Sequence, residues 1–142
     1  MDIHMYHGKR SDNGEWVSGY YIKADIHWNN RGTHEDWIVK SAILNNGYIN
    51  LVMRYPVIHE TVSRFTGKKD MNGDDLYEND LVYVYNSNCD EEDGAGRITW
   101  DNDESCYDIE FNGFNYRLGD CPICEIVKIG NAFDNKELIG GQ

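Results

Sequence analysis

Apolar and polar residues alternate strictly along Tyr107-Asp-Ile-Glu-Phe111, which is the period of a half-buried β-strand. Comparable short runs rich in β-branched and aromatic residues recur along the chain. They fall at Glu15–Ile22, Tyr48–Arg54, Leu81–Tyr85, Gly96–Trp100, Tyr116–Leu118 and Cys124–Ile129, and each is read as a strand. Trp37–Leu44 is apolar but too brief for its period to separate a strand from a short helix. Ala24–Gly32, with His27, Trp28 and Asn29-Asn30, has no clear period.

Turn signals punctuate these runs: Asp12-Asn13-Gly14, Asn45-Asn46-Gly47, Asn72-Gly73, Asn79-Asp80 and Asn112-Gly113. Asn72-Gly73 predicts a type I′ turn, because asparagine and glycine best tolerate positive φ at both central positions. Pro56 ends the Tyr48 strand, and Val57–Arg64 is expected to be a linker or a single helical turn. Asn86–Gly94 is polar and acidic and is expected to be an exposed hairpin loop. Five short strands with tight connections after residue 80, and no helix of consequence, point to a small barrel. The expected architecture is mainly β, with an N-terminal β-rich extension over residues 1–64 and a barrel domain over residues 65–142. No internal repeat is present.

Charge supports that division. The net charge is −12; residues 1–64 carry seven Lys/Arg against seven Asp/Glu, and residues 65–142 carry six against eighteen. The acidic half would repel a phosphate backbone and there is no basic stripe, so direct nucleic-acid binding is not expected. The acidity either keeps the protein soluble or mimics nucleic acid toward a basic groove on another protein. With 142 residues, 40% hydrophobic and 13% aromatic, the chain can bury a core without staples. No apolar run resembles a signal peptide or reaches membrane-spanning length, so the expected location is the cytoplasm.

The stretch Phe65–Val82, FTGKKDMNGDDLYENDLV, followed by IGNAFDNKEL at 129–138, resembles the YopX family of small phage and prophage proteins. Members show Thr-Gly-Leu-Lys-Asp-x-Asn-Gly, then Ile-Tyr-Glu-Gly-Asp-Ile-Val, and end in Ile-Gly-Asn-x-Tyr-Glu-Asn-Pro-Glu-Leu. The matching positions here are Thr66, Gly67, Lys69, Asp70, Asn72, Gly73, Tyr77, Glu78, Asp80 and Val82. Ile129, Gly130, Asn131, Asn135, Glu137 and Leu138 match the second motif. Trp16–Tyr21 and His59–Val62 also resemble members. Lys68 stands where leucine is usual, Asn79 where glycine is usual and Lys136 where proline is common. The resemblance implies an SH3-like barrel in the C-terminal half and no assigned catalytic residues or biochemical role.

The chemical candidates are weak. Cys121-Pro-Ile-Cys124 has the spacing of a zinc half-site or a redox pair, but Cys89 and Cys106 would have to converge on it, and Asp120 and Glu125 oppose a thiolate. Asp70-x-Asn72-x-Asp74 with Glu78 lacks the calcium-loop glycine at position six and glutamate at twelve, where Asp75 and Leu81 stand. His4, His7, His27, His34 and His59 are scattered, with His4 and His7 at an end expected to fray. No phosphate loop or GxSxG elbow occurs. Trp16, Tyr20, Tyr21, Trp28, Trp37, Trp100, Phe111, Phe114 and Tyr116 are more than a small barrel core easily absorbs; core packing is the default expectation, and any that line an exposed groove would form a protein-binding or self-association surface. The reading that follows is a protein without a cofactor or catalysis that acts by binding another protein or by self-association. The alternatives are an acidic nucleic-acid mimic or a zinc- or thiol-dependent activity at Cys121 and Cys124.

Overall fold

A computed structural model describes residues 5–26, 33–85, 94–111 and 113–139. His4, His27, Trp28, Cys89, Asn112 and most of the acidic loop expected at 86–94 lie outside the described residues. The protein is mainly β, with all strand pairing antiparallel and arranged in two sheets. It divides into two compact units, Met1–Arg64 and Phe65–Gln142. Among the described residues no helix is long and apolar enough to cross a membrane.

In the N-terminal unit the strands are β1 (Tyr6–Lys9), β2 (Trp16–Ile26), β3 (Thr33–Asn45) and β4 (Tyr48–Pro56). β2 changes partner midway: Trp16–Gly19 pair with β1, and Tyr20–Ile26 pair with β3. The ambiguous Trp37–Leu44 run is therefore strand, because β2 and β4 supply its hydrogen bonds on either side. The expected frayed end also holds a strand. His7 sits in β1 with its ring 4.6 Å from Trp16, and Ser63 and Arg64 pair with His7 and Tyr6. Val57–Arg64 contributes one 3₁₀ turn, His59–Thr61. The core is small: Val17, Ile38 and Val57, with Tyr6, Tyr21, Tyr55 and Val62 packed around them.

The type I′ turn forms at Asn46-Gly47, where both residues have positive φ (52° and 82°) and Asn45 faces Tyr48. It does not form at Asn72-Gly73. There only Gly73 is left-handed (φ 84°), and the turn is closed one residue earlier by Gly73 N–H donating to Asp70 O at 3.1 Å. The Asp70 carboxylate accepts from Asn72 N–H at 2.9 Å, which fixes an Asx-type turn in place of the I′ geometry.

In the C-terminal unit, the rest of β5 (Ser63–Lys69) pairs with β6 (Asp75–Tyr77). β7 (Asp80–Val84), β8 (Gly94–Asp101), β9 (Cys106–Phe111), β10 (Phe114–Arg117) and β11 (Ile126–Asn131) form a sheet ordered β10-β9-β8-β7-β11. The five strands expected after residue 80 are present, but among the described residues β10 and β11 are edges that do not pair with each other. There the sheet is open, and no closed barrel is formed. Cys124 lies in a 3₁₀ turn, Ile123–Glu125, ahead of β11 and outside the strand expected from residue 124. The core joins Leu76, Val82, Val84, Ile98, Ile109, Phe111 and Ile126 to Leu118 and Cys121. This continuous apolar set is what the alternation along β7–β9 dictates once one sheet face turns inward.

Candidate functional site

The two ordered sequence motifs meet in the C-terminal unit. β7 and β11 run side by side, pairing Asp80 with Asn131 and Leu81 with Gly130, and Ala132 N–H donates to Asn79 O at 2.8 Å. Asp70 is buried at the centre of the first motif. Its Oδ1 accepts from the N–H groups of Asn72 and Asp74, both at 2.9 Å, and its Oδ2 accepts from Lys128 N–H at 2.8 Å. Burial pushes the Asp70 carboxyl up, but these backbone donors and the Lys128 charge outweigh it and hold the group below its usual range. Both oxygens are committed to backbone donors, so the segment is a polar tie from the β5–β6 loop to β11, with no calcium-loop geometry.

Asp80 lies under the same strands. Its Oδ2 accepts from Tyr77 N–H at 2.8 Å and from Lys128 Nζ at 3.1 Å, and Lys128 Nζ stands 5.7 Å from the Tyr77 ring centre. Here the balance reverses. Burial outweighs the Lys128 charge and lifts the carboxyl to about 6. Thr66 Oγ1 donates to Leu76 O at 2.8 Å and accepts from Lys68 N–H at 3.2 Å, closing the strand ends around the exposed, left-handed Gly67. Asn79 takes φ 70°, the left-handed geometry for which glycine is usual, and its Oδ1 accepts from Arg97 Nε and Nη2 at 3.2 and 2.6 Å. Asn131 Oδ1 caps the next turn by accepting from Phe133 and Asp134 N–H at 3.0 and 2.9 Å. Glu78 is half-buried beside this turn.

Lys68 marks the edge of a cleft. Its ammonium donates to Leu118 O at 2.7 Å and to Cys121 O, so the cation secures the 3₁₀ turn Leu118–Asp120. That turn, the Thr66–Lys68 edge, Trp100 of β8, the Ser105–Tyr107 corner and Arg117 of β10 enclose about 660 Å³. Trp100 and Tyr107 face each other across the β8–β9 ladder, edge to face at 4.8 Å. Trp100 Nε1 donates to Asn102 Oδ1 at 2.8 Å, and Arg117 pairs with Glu104 at 3.0 Å in the open. The volume suits a short peptide segment or a small ligand. An aromatic wall can hold an apolar side chain, and the guanidinium of Arg117, with five N–H donors, can bond an acceptor group beside it. Among the described residues that line the cleft there is no histidine.

The cysteines separate. Cys121 is in the core, Cys124 is exposed and Cys106 is half-buried, so the CxxC pair presents no shared outward face. Among the described residues, the ligand-capable group that the structure does assemble is Asp101, Cys106 and Asp108, within 4.8 Å of one another. The Cys106 thiol donates to Asp108 at 3.6 Å, and burial and the Asp108 charge raise its pKa, which keeps it a thiol. Asp101 already caps the β8–β9 turn by accepting from Asp103 and Glu104 N–H at 2.9 and 3.2 Å. In the N-terminal unit, Tyr21 OH donates to buried Asp36, and His59 Nδ1 lies 3.1 Å from the same Asp36 Oδ1. Burial and Asp36 raise the Tyr21 hydroxyl to about 12. Neither grouping has a sequence signal, because each is assembled by strand register across residues that no motif spacing connects.

Of the aromatic residues that a small core was not expected to absorb in full, Phe111 is core, Tyr20 and Phe114 are exposed, and Trp100 lines the cleft. A family model described as "YopX protein" matches residues 8–140. No curated protein matches the chain. A crystal structure of protein EF1440 from Enterococcus faecalis matches with a TM-score of 0.49 and 15% sequence identity, over 98% of this chain and 99% of that one.

Proposed function

The chain belongs to the YopX family, which covers it almost end to end, and from that premise we propose that it is a non-catalytic phage or prophage accessory protein. It works in the cytoplasm of the bacterial host by binding another protein through the cleft of its C-terminal unit. The Trp100–Tyr107 wall carries this reading, because it offers anchoring aromatic surface in a cleft that Lys68, Arg117 and Asp120 also line. The fold reading that accompanies it is an SH3-like arrangement. The β7-β8-β9-β10 meander with β11 returned beside β7, and the Thr66–Asp75 loop tied to β11, support it.

The test is recovery of partners on the tagged protein from a nuclease-treated bacterial lysate, compared with Trp100→Ala and Arg117→Glu. A partner kept by the wild type through high salt and lost by both variants is the expected result. A partner that ignores both substitutions refutes the cleft as its site. A second reading, an acidic decoy that occupies the groove of a nucleic-acid-binding protein, is favoured by the confinement of the whole −12 to residues 65–142. It requires a partner that is released by moderate salt and displaced by DNA.

A further inference from the structure

Beyond Val39, β3 loses β2 as a neighbour, and a register shift around Lys40–Ala42 marks the departure. From there β3 and β4 continue as a two-stranded ribbon whose residues 40–50 are all exposed, although the stretch is rich in apolar side chains. Leu44 and Ile49 stand directly opposite each other and are 73% and 70% exposed. Ala42 shares their face. On the other face Ile43 pairs with Asn50 and Tyr48 with Asn45, so each apolar side chain there stands opposite an amide, whereas Leu44 and Ile49 stand opposite each other.

Proteins guard free strand edges with charge or proline. Residues 41–53 have neither, in a chain that is 27% charged and would place about three or four charges in thirteen residues. A ribbon with both edges unpaired among the described residues and an uncovered apolar face is marginal in water by itself. What covers it must be apolar and must tolerate the protein's own charge.

We propose that this ribbon is a self-association arm: in solution two copies pack ribbon on ribbon, apolar face to apolar face, and bury Leu44 and Ile49 between them. Two copies that each carry −12 repel wherever their acidic halves approach. A contact between them needs an uncharged strip on a neutral part of the chain, and residues 41–53 lie in the half whose charges cancel. A twofold axis brings identical faces together, so the same uncharged face supplies both sides of the contact. Leu44 and Ile49 of each copy form the centre of the contact, with Ala42 and the ribbon backbone extending it. The ribbon belongs to the unit Met1–Arg64, and the cleft is lined by residues of the other.

Sedimentation velocity on the full chain, from about 1 to about 100 μM, tests it. The wild type is expected to sediment as at least a dimer in the upper range, with association that holds or tightens as salt screens the like charges. Leu44→Thr with Ile49→Thr keeps strand propensity and should raise the dissociation constant at least ~10-fold; Leu44→Glu should sediment as one chain throughout. Unchanged melting temperatures would verify that both variants fold. Trp100→Ala should leave the assembly intact, which separates this result from the cleft experiment. A monomeric wild type at ~100 μM overturns the proposal, as does an assembly that survives both ribbon variants or dissolves with added salt. A monomer whose ribbon variants lose a lysate protein also overturns it, by assigning the arm to a different partner.

Discussion

Asp80 sets burial against an ion pair, and the outcome can be measured. Its carboxyl is 1% exposed and bonded to Lys128, yet its folded-state value lies at about 6 against 3.8 for an unperturbed aspartate. The folded protein therefore binds this proton more tightly than the unfolded chain. The resulting stability is complete below the unfolded value and is lost as pH rises through about 6. A shift of roughly two units corresponds to about 3 kcal/mol in full, of which about 1.4 kcal/mol falls between pH 7 and pH 5. Other carboxylates titrate in the same range, and Asp70 works in the opposite sense. The informative quantity is therefore the difference between wild type and Asp80→Asn, which keeps an acceptor for Tyr77 N–H and removes the buried charge. Urea titrations at several pH values, read by labelling the buried thiol of Cys121 in the same core, report on this unit alone. Relative to the variant, the wild type should gain about 1.4 kcal/mol from pH 7 to pH 5. A flat difference would refute the reasoning, and a wild type that weakens relative to the variant on acidification would show that the Lys128 ion pair outweighs burial.

Three further outcomes follow from the structure. Gly73→Val meets open space, so its cost is backbone strain alone; a loss of more than ~1–2 kcal/mol is expected, and Gly73→Asn should recover most of it, both read from melting temperatures. Lys68→Met restores an apolar chain where the family has leucine but strips donors from the Leu118 and Cys121 carbonyls, and should cost ~1–3 kcal/mol in urea unfolding. In an alkaline absorbance titration one tyrosine should ionise near 12, well after the exposed ones, and that late step should vanish in Tyr21→Phe. A late step that persists in the variant would assign it to another tyrosine.

The strands of the C-terminal unit were legible because alternation and turn residues are local. Tyr107–Phe111 has to place Ile109 and Phe111 on one face, whatever that face meets. The left-handed turn at Asn79 and the family motifs were legible for the same reason. Pairing was not, since β1 and β6 are only four and three residues long and become strands by completing ladders with β2 and β5. The I′ turn went to Asn46-Gly47 because a continuous hairpin there demands it, while at Asn72-Gly73 the buried Asp70 carboxylate imposes another geometry. The cleft, the opposed shifts of Asp70 and Asp80 and the Tyr21–Asp36–His59 link depend on residues brought together from distant positions. The sequence by itself determined most of the extended segments after residue 80, where the charge lies and to which family the chain belongs. Only the tertiary structure decided which side chains share a wall, a proton or an uncovered face, because those depend on register and burial, which no local pattern encodes.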